Sequence, residues 1–136
     1  KNNKTNSLSR IFDQSNVNGG ALLYNTSSGG DELFGVTSVG NINITSTPIS
    51  TNYALQVGQL LSGNSKLRRN GVSLGTNSTT FTMSGNTGIS FIIGENSPVS
   101  TNAFGGNLQA LVIYTTNQDA NIAGIESAIN NLYNIY

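Results

Sequence analysis

The stretch Lys66-Leu67-Arg68-Arg69-Asn70-Gly71-Val72-Ser73-Leu74-Gly75-Thr76 decides the fold class. Two short runs flank Asn-Gly, the pair favoured in a two-residue type I′ turn because both central positions take positive φ. The stretch therefore predicts a β-hairpin. Alternation along it places Leu67 and Arg69 on one face, with Val72 and Leu74 in the matching set of the second strand. Lys66, Arg68 and Arg69 are the chain's one basic cluster. On an exposed hairpin such a cluster reads as a solvated face or a single ion pair, and an acidic polysaccharide is the anionic partner it would otherwise suit.

Working outward, the same short-run pattern continues on both sides. Upstream candidates for strands are Ile11-Phe12, residues 21–24, residues 33–36 and residues 41–45, the last alternating strictly between polar and apolar. Residues 53–61 follow, with Tyr53, Leu55, Val57 and Gln59 on one face. Downstream come residues 81–83, 89–94 and 106–114. In the last of these, Leu108, Ala110, Val112 and Tyr114 alternate with Gln109, Leu111 and Ile113, so both faces are apolar and the segment reads as a central strand. The period then changes. Ile122, Ile125, Ile129, Leu132, Tyr133 and Tyr136 recur every three or four residues, the stripe of an amphipathic helix, with Asp119 as its expected N-cap. Gly124 inside that helix costs about 1 kcal/mol relative to Ala, so the stripe is expected to dock on a sheet. No repeat, charge block or linker divides the chain, and residues 1–136 are read as a single domain.

Composition supports a folded, loop-rich β domain. Asn (21), Ser (17), Gly (16) and Thr (14) make up half of the 136 residues, yet 36% of the chain is apolar and falls in regularly spaced runs. Lys+Arg and Asp+Glu number 6 each, so the net charge is zero and no basic face for nucleic acid is expected. The chain contains neither His nor Cys, which excludes Ser-His-Asp and Cys-His nucleophilic machinery, disulfides, zinc fingers and iron–sulfur clusters. Its longest apolar stretches, residues 108–114 among them, fall far below the ~20 residues of a bilayer-spanning helix, so membrane insertion is not expected.

Phe104-Gly105-Gly106-Asn107-Leu108-Gln109-Ala110-Leu111-Val112-Ile113-Tyr114, followed by Asn117-Gln118-Asp119 and a helix ending Tyr133-Asn134-Ile135-Tyr136, is similar to the C-terminal end of concanavalin A-like (laminin G-like) jelly-roll domains. There a strand opening Phe-x-Gly and closing on an aliphatic residue and Tyr precedes a short helix. Arg69-Asn70-Gly71-Val72 and Ile92-Ile93-Gly94-Glu95-Asn96 resemble that family's hairpin and strand end in the same order. The resemblance covers residues 53–136 and rests on structural motifs. It implies an all-β, concanavalin A-like jelly-roll β-sandwich with one C-terminal α-helix. Asn-rich members occur in tailed-phage virion proteins and bacterial surface proteins, which implies a virion or an extracellular, cell-surface location. Complete domains of the family carry further N-terminal strands. The resemblance therefore places Lys1 inside the fold, as in a piece of a longer chain or an oligomer in which a neighbour completes the sheet edge.

Three chemistries bear on these residues. Glycosidases of this fold place acids alternately along one strand, about 5 Å apart for retention. Here Asp13, Asp31, Glu32, Glu95, Asp119 and Glu126 alternate on no predicted strand, so the chain is not expected to be an enzyme. Calcium, the commonest metal of the fold, would draw on Asp13, Asp31 and Glu32 in loops, but loop acids ordinarily just face water, and no cofactor is assigned. A sugar site needs polar groups beside an aromatic ring, for which Tyr24, Asp31, Glu32 and Tyr53 are the candidates, expected near loops. Two functions remain open: a non-enzymatic structural or decoration module contacting other protein subunits, and a lectin-like module that binds surface glycan. Binding of one sugar class on a glycan array favours the second, and a symmetric oligomer favours the first.

Overall fold

The computed structural model describes residues 8–16, 19–26, 31–37, 40–45, 53–82, 92–94 and 104–136, and in the first four strands the side chains of Ile11 and Ile44 alone. The described chain is mostly β, with one C-terminal helix. Its elements are β1 (Leu8–Asn16), β2 (Gly19–Thr26), β3 (Asp31–Thr37), β4 (Gly40–Thr45), β5 (Gln56–Gln59), β6 (Ser65–Arg69), β7 (Val72–Asn77), β8 (Ile92–Ile93) and α1 (Ile122–Tyr133). The pairings among the described strands are all antiparallel. One sheet has the order β4-β3-β2-β1-β8 and the other β5-β6-β7.

Register in the larger sheet aligns its apolar positions. Ile93, Phe12, Leu23, Leu33 and Ile44 fall in one row across all five strands. Strand β1 carries one residue more than its partner between Arg10 and Phe12, a bulge at Ile11, and Ile11 is buried. The sheets touch where β4 meets β6 and β7. Ile11, Ile44 and Leu67 form the buried apolar cluster there, with Leu60, Leu74 and Phe104 packed around it. Phe104 is fixed from behind by its N–H, which donates to the Gly94 carbonyl at 2.6 Å.

The central strand of the small sheet explains how the two sheets approach. Leu67, fully buried, lies between Gly58 of β5 and Gly75 of β7 in the register. A Cβ at Gly75 would sit 2.6 Å from Ile44 Cγ2, so glycine is what lets Ile44 seat against the small sheet. Gly75→Ala is therefore expected to destabilise the protein by about 1–3 kcal/mol, the usual cost of an overpacked core. Chemical denaturation measures this, and an unchanged midpoint would show that Ile44 yields without strain.

The hairpin forms as its sequence predicts. Asn70 and Gly71 take φ of 52° and 77°. Asn70 does more than turn the chain: its Oδ1 accepts from the Leu55 N–H and its own N–H donates to the Leu55 carbonyl, both at 2.9 Å. The facing register differs from simple alternation, because β7 holds one extra residue between the partners of Leu67 and Arg68. Leu67 consequently faces Gly75, not Leu74.

Other expectations need correction. Of the expected strand 106–114, Gly106 alone forms a β-bridge and residues 107–114 form no strand, with Leu108, Val112, Ile113 and Tyr114 43–58% exposed. Alternation states how side chains would divide between two faces; it does not supply a sheet edge to pair with. Phe81 and Thr82 are likewise outside any strand, and the rest of that expected element, like residues 89–91, lies outside the described residues. The helix falls where its period predicts, but its N-cap is Asn121, with no side-chain capping bond. Asp119 lies two residues before that position, and its carboxylate is bonded instead to Lys66 of β6 and to Asn64. The apolar stripe is also only partly covered: Leu132 is 74% exposed, and the buried helical residue is Glu126.

Candidate functional site

Alternation along β6 divides its work. Ser65 and Leu67 are buried on the core side, while Lys66 and Arg68 reach the C-terminal segment. The basic cluster is thus neither a solvated face nor a single ion pair, since two of its cations are each matched to an acid. Lys66 pairs with Asp119, whose other oxygen accepts from Asn64 Nδ2 at 3.2 Å. Arg68 grips Glu126 through Nε, 3.0 and 3.1 Å from the two carboxylate oxygens, and through Nη2 at 2.9 Å. The same Nη2 donates to the Gly71 carbonyl, so one guanidinium joins the helix to the hairpin tip. This fork geometry is the strong form of a charge-assisted bond. Hydrogen bonding to Glu126 raises the Arg68 pKa above its ordinary value, against an opposing effect of burial.

The chain's C-terminal residues complete this assembly. Helix α1 ends at Tyr133 and is capped by Asn134, in the left-handed conformation at φ 49°. Asn130 then ties the tail back: its Oδ1 accepts the N–H groups of Ile135 and Tyr136 at 2.9 Å, and its Nδ2 donates to the Tyr136 carbonyl at 2.7 Å. Tyr136 lies against the turn, close enough that a Cβ on Gly71 would meet its hydroxyl at 3.4 Å.

Hydrogen bonding from Lys66, and secondarily its charge and bonds from Gln59 and Asn64, holds the Asp119 pKa below its ordinary value near 3.8. A carboxyl whose folded pKa is lowered stabilises the fold fully above the ordinary value and loses that contribution as pH falls through the lowered one. Asp119→Asn is therefore expected to be less stable than wild type at neutral pH, with the gap closing below about pH 3.8. Unfolding midpoints of both proteins across that range test this, and a gap constant with pH would sink it.

The four candidate ligand residues are distributed as follows. Tyr24 lies in β2 and faces Glu32 in register, with Asp31 one position on, opposite Asn25. Asp31 and Glu32 are thus the first residues of β3, not of a loop as expected, because their backbones pair with β2. Asp13, offered as a calcium ligand in a loop, is inside β1, with β2 between it and β3. Tyr53 precedes β5 on a separate segment and is 43% exposed. Register thus brings three of the four to one end of the β2–β3 pair and leaves Tyr53 apart. Among the described residues, no three acidic side chains gather in a way that could hold a metal ion, and no helix is long and apolar enough to cross a membrane.

One further feature was not foreseen. Val112 and Tyr114 form one wall of a cleft of about 440 Å³ whose other wall is Ala120, just before the helix, and the Gly124, Ile125 and Ala128 side of α1. Among the described residues, nothing beyond the adjacent residues and the helix's own backbone lies within 4 Å of where a Gly124 side chain would begin. The signal was available in the sequence, where Ala120, Gly124 and Ala128 fall at helical spacing beside a segment apolar on both faces. Compared with models of known families, with curated proteins and with solved structures, the chain has no significant match.

Proposed function

We propose that this chain is a concanavalin A-like jelly-roll β-sandwich that serves as a non-enzymatic structural or decoration module of a virion or cell-surface assembly, acting through contacts with other protein subunits. Support for the fold comes from two antiparallel sheets in contact, the Asn70-Gly71 hairpin and the C-terminal helix. The observation that carries the function is the exposed, uncharged apolar segment ending at Tyr114: Leu108, Val112, Ile113 and Tyr114 stand open to solvent in a chain with little apolar area to spare. Contiguous apolar surface of this kind marks protein contacts. By contrast, the strongest polar constellation among the described residues, Lys66–Asp119 and Arg68–Glu126, is satisfied internally and holds helix to hairpin. A glycan array and a panel of polysaccharide turnover assays test the reading. The expected result is neither binding nor turnover. Reproducible binding of one sugar class replaces it with the lectin-like alternative, for which the Tyr24–Glu32 register pair and Asp31 are the residues to substitute.

A further inference from the structure

We infer that residues 119–136 form a strap that keeps the tip of the β6–β7 hairpin shut, and that its release opens the chain to proteases that cut after Lys or Arg. The strap lies on the face of β6 opposite the core. Ser65 and Leu67 are buried on one side of the strand, where Leu67 clusters with Ile11 and Ile44. Lys66 and Arg68 alternate with them and meet Asp119 and Glu126 on the other side. The buried residue of α1 is Glu126, so the helix is fastened to the strand by a charge. A fastening of that kind fails when one partner loses its charge. Among the described residues, the apolar cluster on the far face has no member in the strap, so it can persist when the strap leaves.

The strap and the turn share residues 68 and 71. Arg68 Nη2 donates to the Glu126 carboxylate at 2.9 Å and also to the Gly71 carbonyl. Tyr136 lies over the same glycine, its hydroxyl 3.4 Å from where a Gly71 side chain would begin. Asn130 holds Tyr136 in place, accepting its N–H at 2.9 Å and donating to its carbonyl at 2.7 Å.

The basic residues stand where this strap controls them. Lys1, Lys4, Arg10, Lys66, Arg68 and Arg69 are the six in the sequence. Past residue 10, every bond that a trypsin-like protease can cut therefore follows a residue of β6. A hairpin tip is ordinarily a favoured place for nicking. Such an enzyme must draw the basic side chain into its specificity pocket. Here Glu126 holds Arg68, Asp119 holds Lys66, and Nη1 of Arg69 is buried. The backbone of β6 is also paired on both edges, with β5 and with β7.

Limited digestion of the full chain with trypsin, read by mass spectrometry, is the test. Fragments ending at residue 66, 68 or 69 report opening of the tip, whereas trimming after residues 1, 4 or 10 does not count. Wild type is expected to be cut slowly in β6. Glu126→Gln should be cut there at least tenfold faster than Gly75→Ala, with urea added so that both stand equally far below their unfolding midpoints. Matching the midpoints takes global unfolding out of the comparison, because cleavage follows the population of the open form. If E126Q does not fold, Asp119→Asn, at the exposed end of the strap, is compared in the same way and should be cut at least threefold faster. Equal rates at matched midpoints overturn the inference, since the bonds then open only with the whole fold. Wild type cut in β6 as fast as the strap variant overturns it as well.

Discussion

Glu126→Gln is expected to destabilise the protein by about 3 kcal/mol, the cost of removing one partner of a buried ion pair. Glu126 is 2% exposed, and its carboxylate takes three bonds from Arg68. Glutamine is nearly isosteric but neutral, and its amide offers a single acceptor to a fork that uses two. Arg68 would then remain mostly buried with its charge uncompensated, held by the Gly71 carbonyl. The Arg68→Leu, Glu126→Leu double variant should lose far less than the two single variants together, because it removes both charges and returns apolar contact between helix and sheet. Urea denaturation of the four proteins gives the coupling energy. Loss within about 0.5 kcal/mol for Glu126→Gln would mean the pair is effectively solvated. Hydrogen exchange adds a local readout: residues 122–133 should lose protection before β6 does if the pair is what docks the helix.

How much of this was legible in the sequence depends on how local each feature is. The hairpin was readable because Asn70-Gly71 specifies positive φ at two adjacent positions without reference to the rest of the chain. Helix α1 was readable from its period, yet which residues it buries was not. Glu126 lies four after Ile122 and three before Ile129, inside the apolar stripe, and a charge in that place needs a partner. The partner's signature was Lys66 and Arg68, two apart and hence on one face of a strand. Neither signal identifies the other, because the contact spans 58 residues of sequence. Residues 107–114 misled for the opposite reason. Their alternation states a preference for extended, two-sided burial, and whether an edge is free to satisfy it is a property of the whole fold. The same holds for Asp31 and Glu32, which followed a Gly-rich run and were read as loop, while pairing with Asn25 and Tyr24 draws them into β3.

Leu67→Ala should cost about 2–5 kcal/mol, the range for truncating a fully buried leucine. Where it falls in that range depends on whether the site can close. Leu67 is 0% exposed and fills the row between Gly58 and Gly75, two residues with no side chain to swing into a void. Strand β6 is also restrained from its other face, where Lys66 and Arg68 bind it to Asp119 and Glu126. Moving the strand toward Ile44 to fill the space would stretch those pairs. The loss is therefore expected in the upper half of the range, and Leu74→Ala, at a half-buried position in the bulge of β7, should lose markedly less. Ile44→Ala opens the same space from the opposite sheet, so the double variant with Leu67→Ala should fall short of additivity, as neighbours sharing one cavity do. Strict additivity, or a loss under 1 kcal/mol for Leu67→Ala, would show that the sheets do not meet through these side chains.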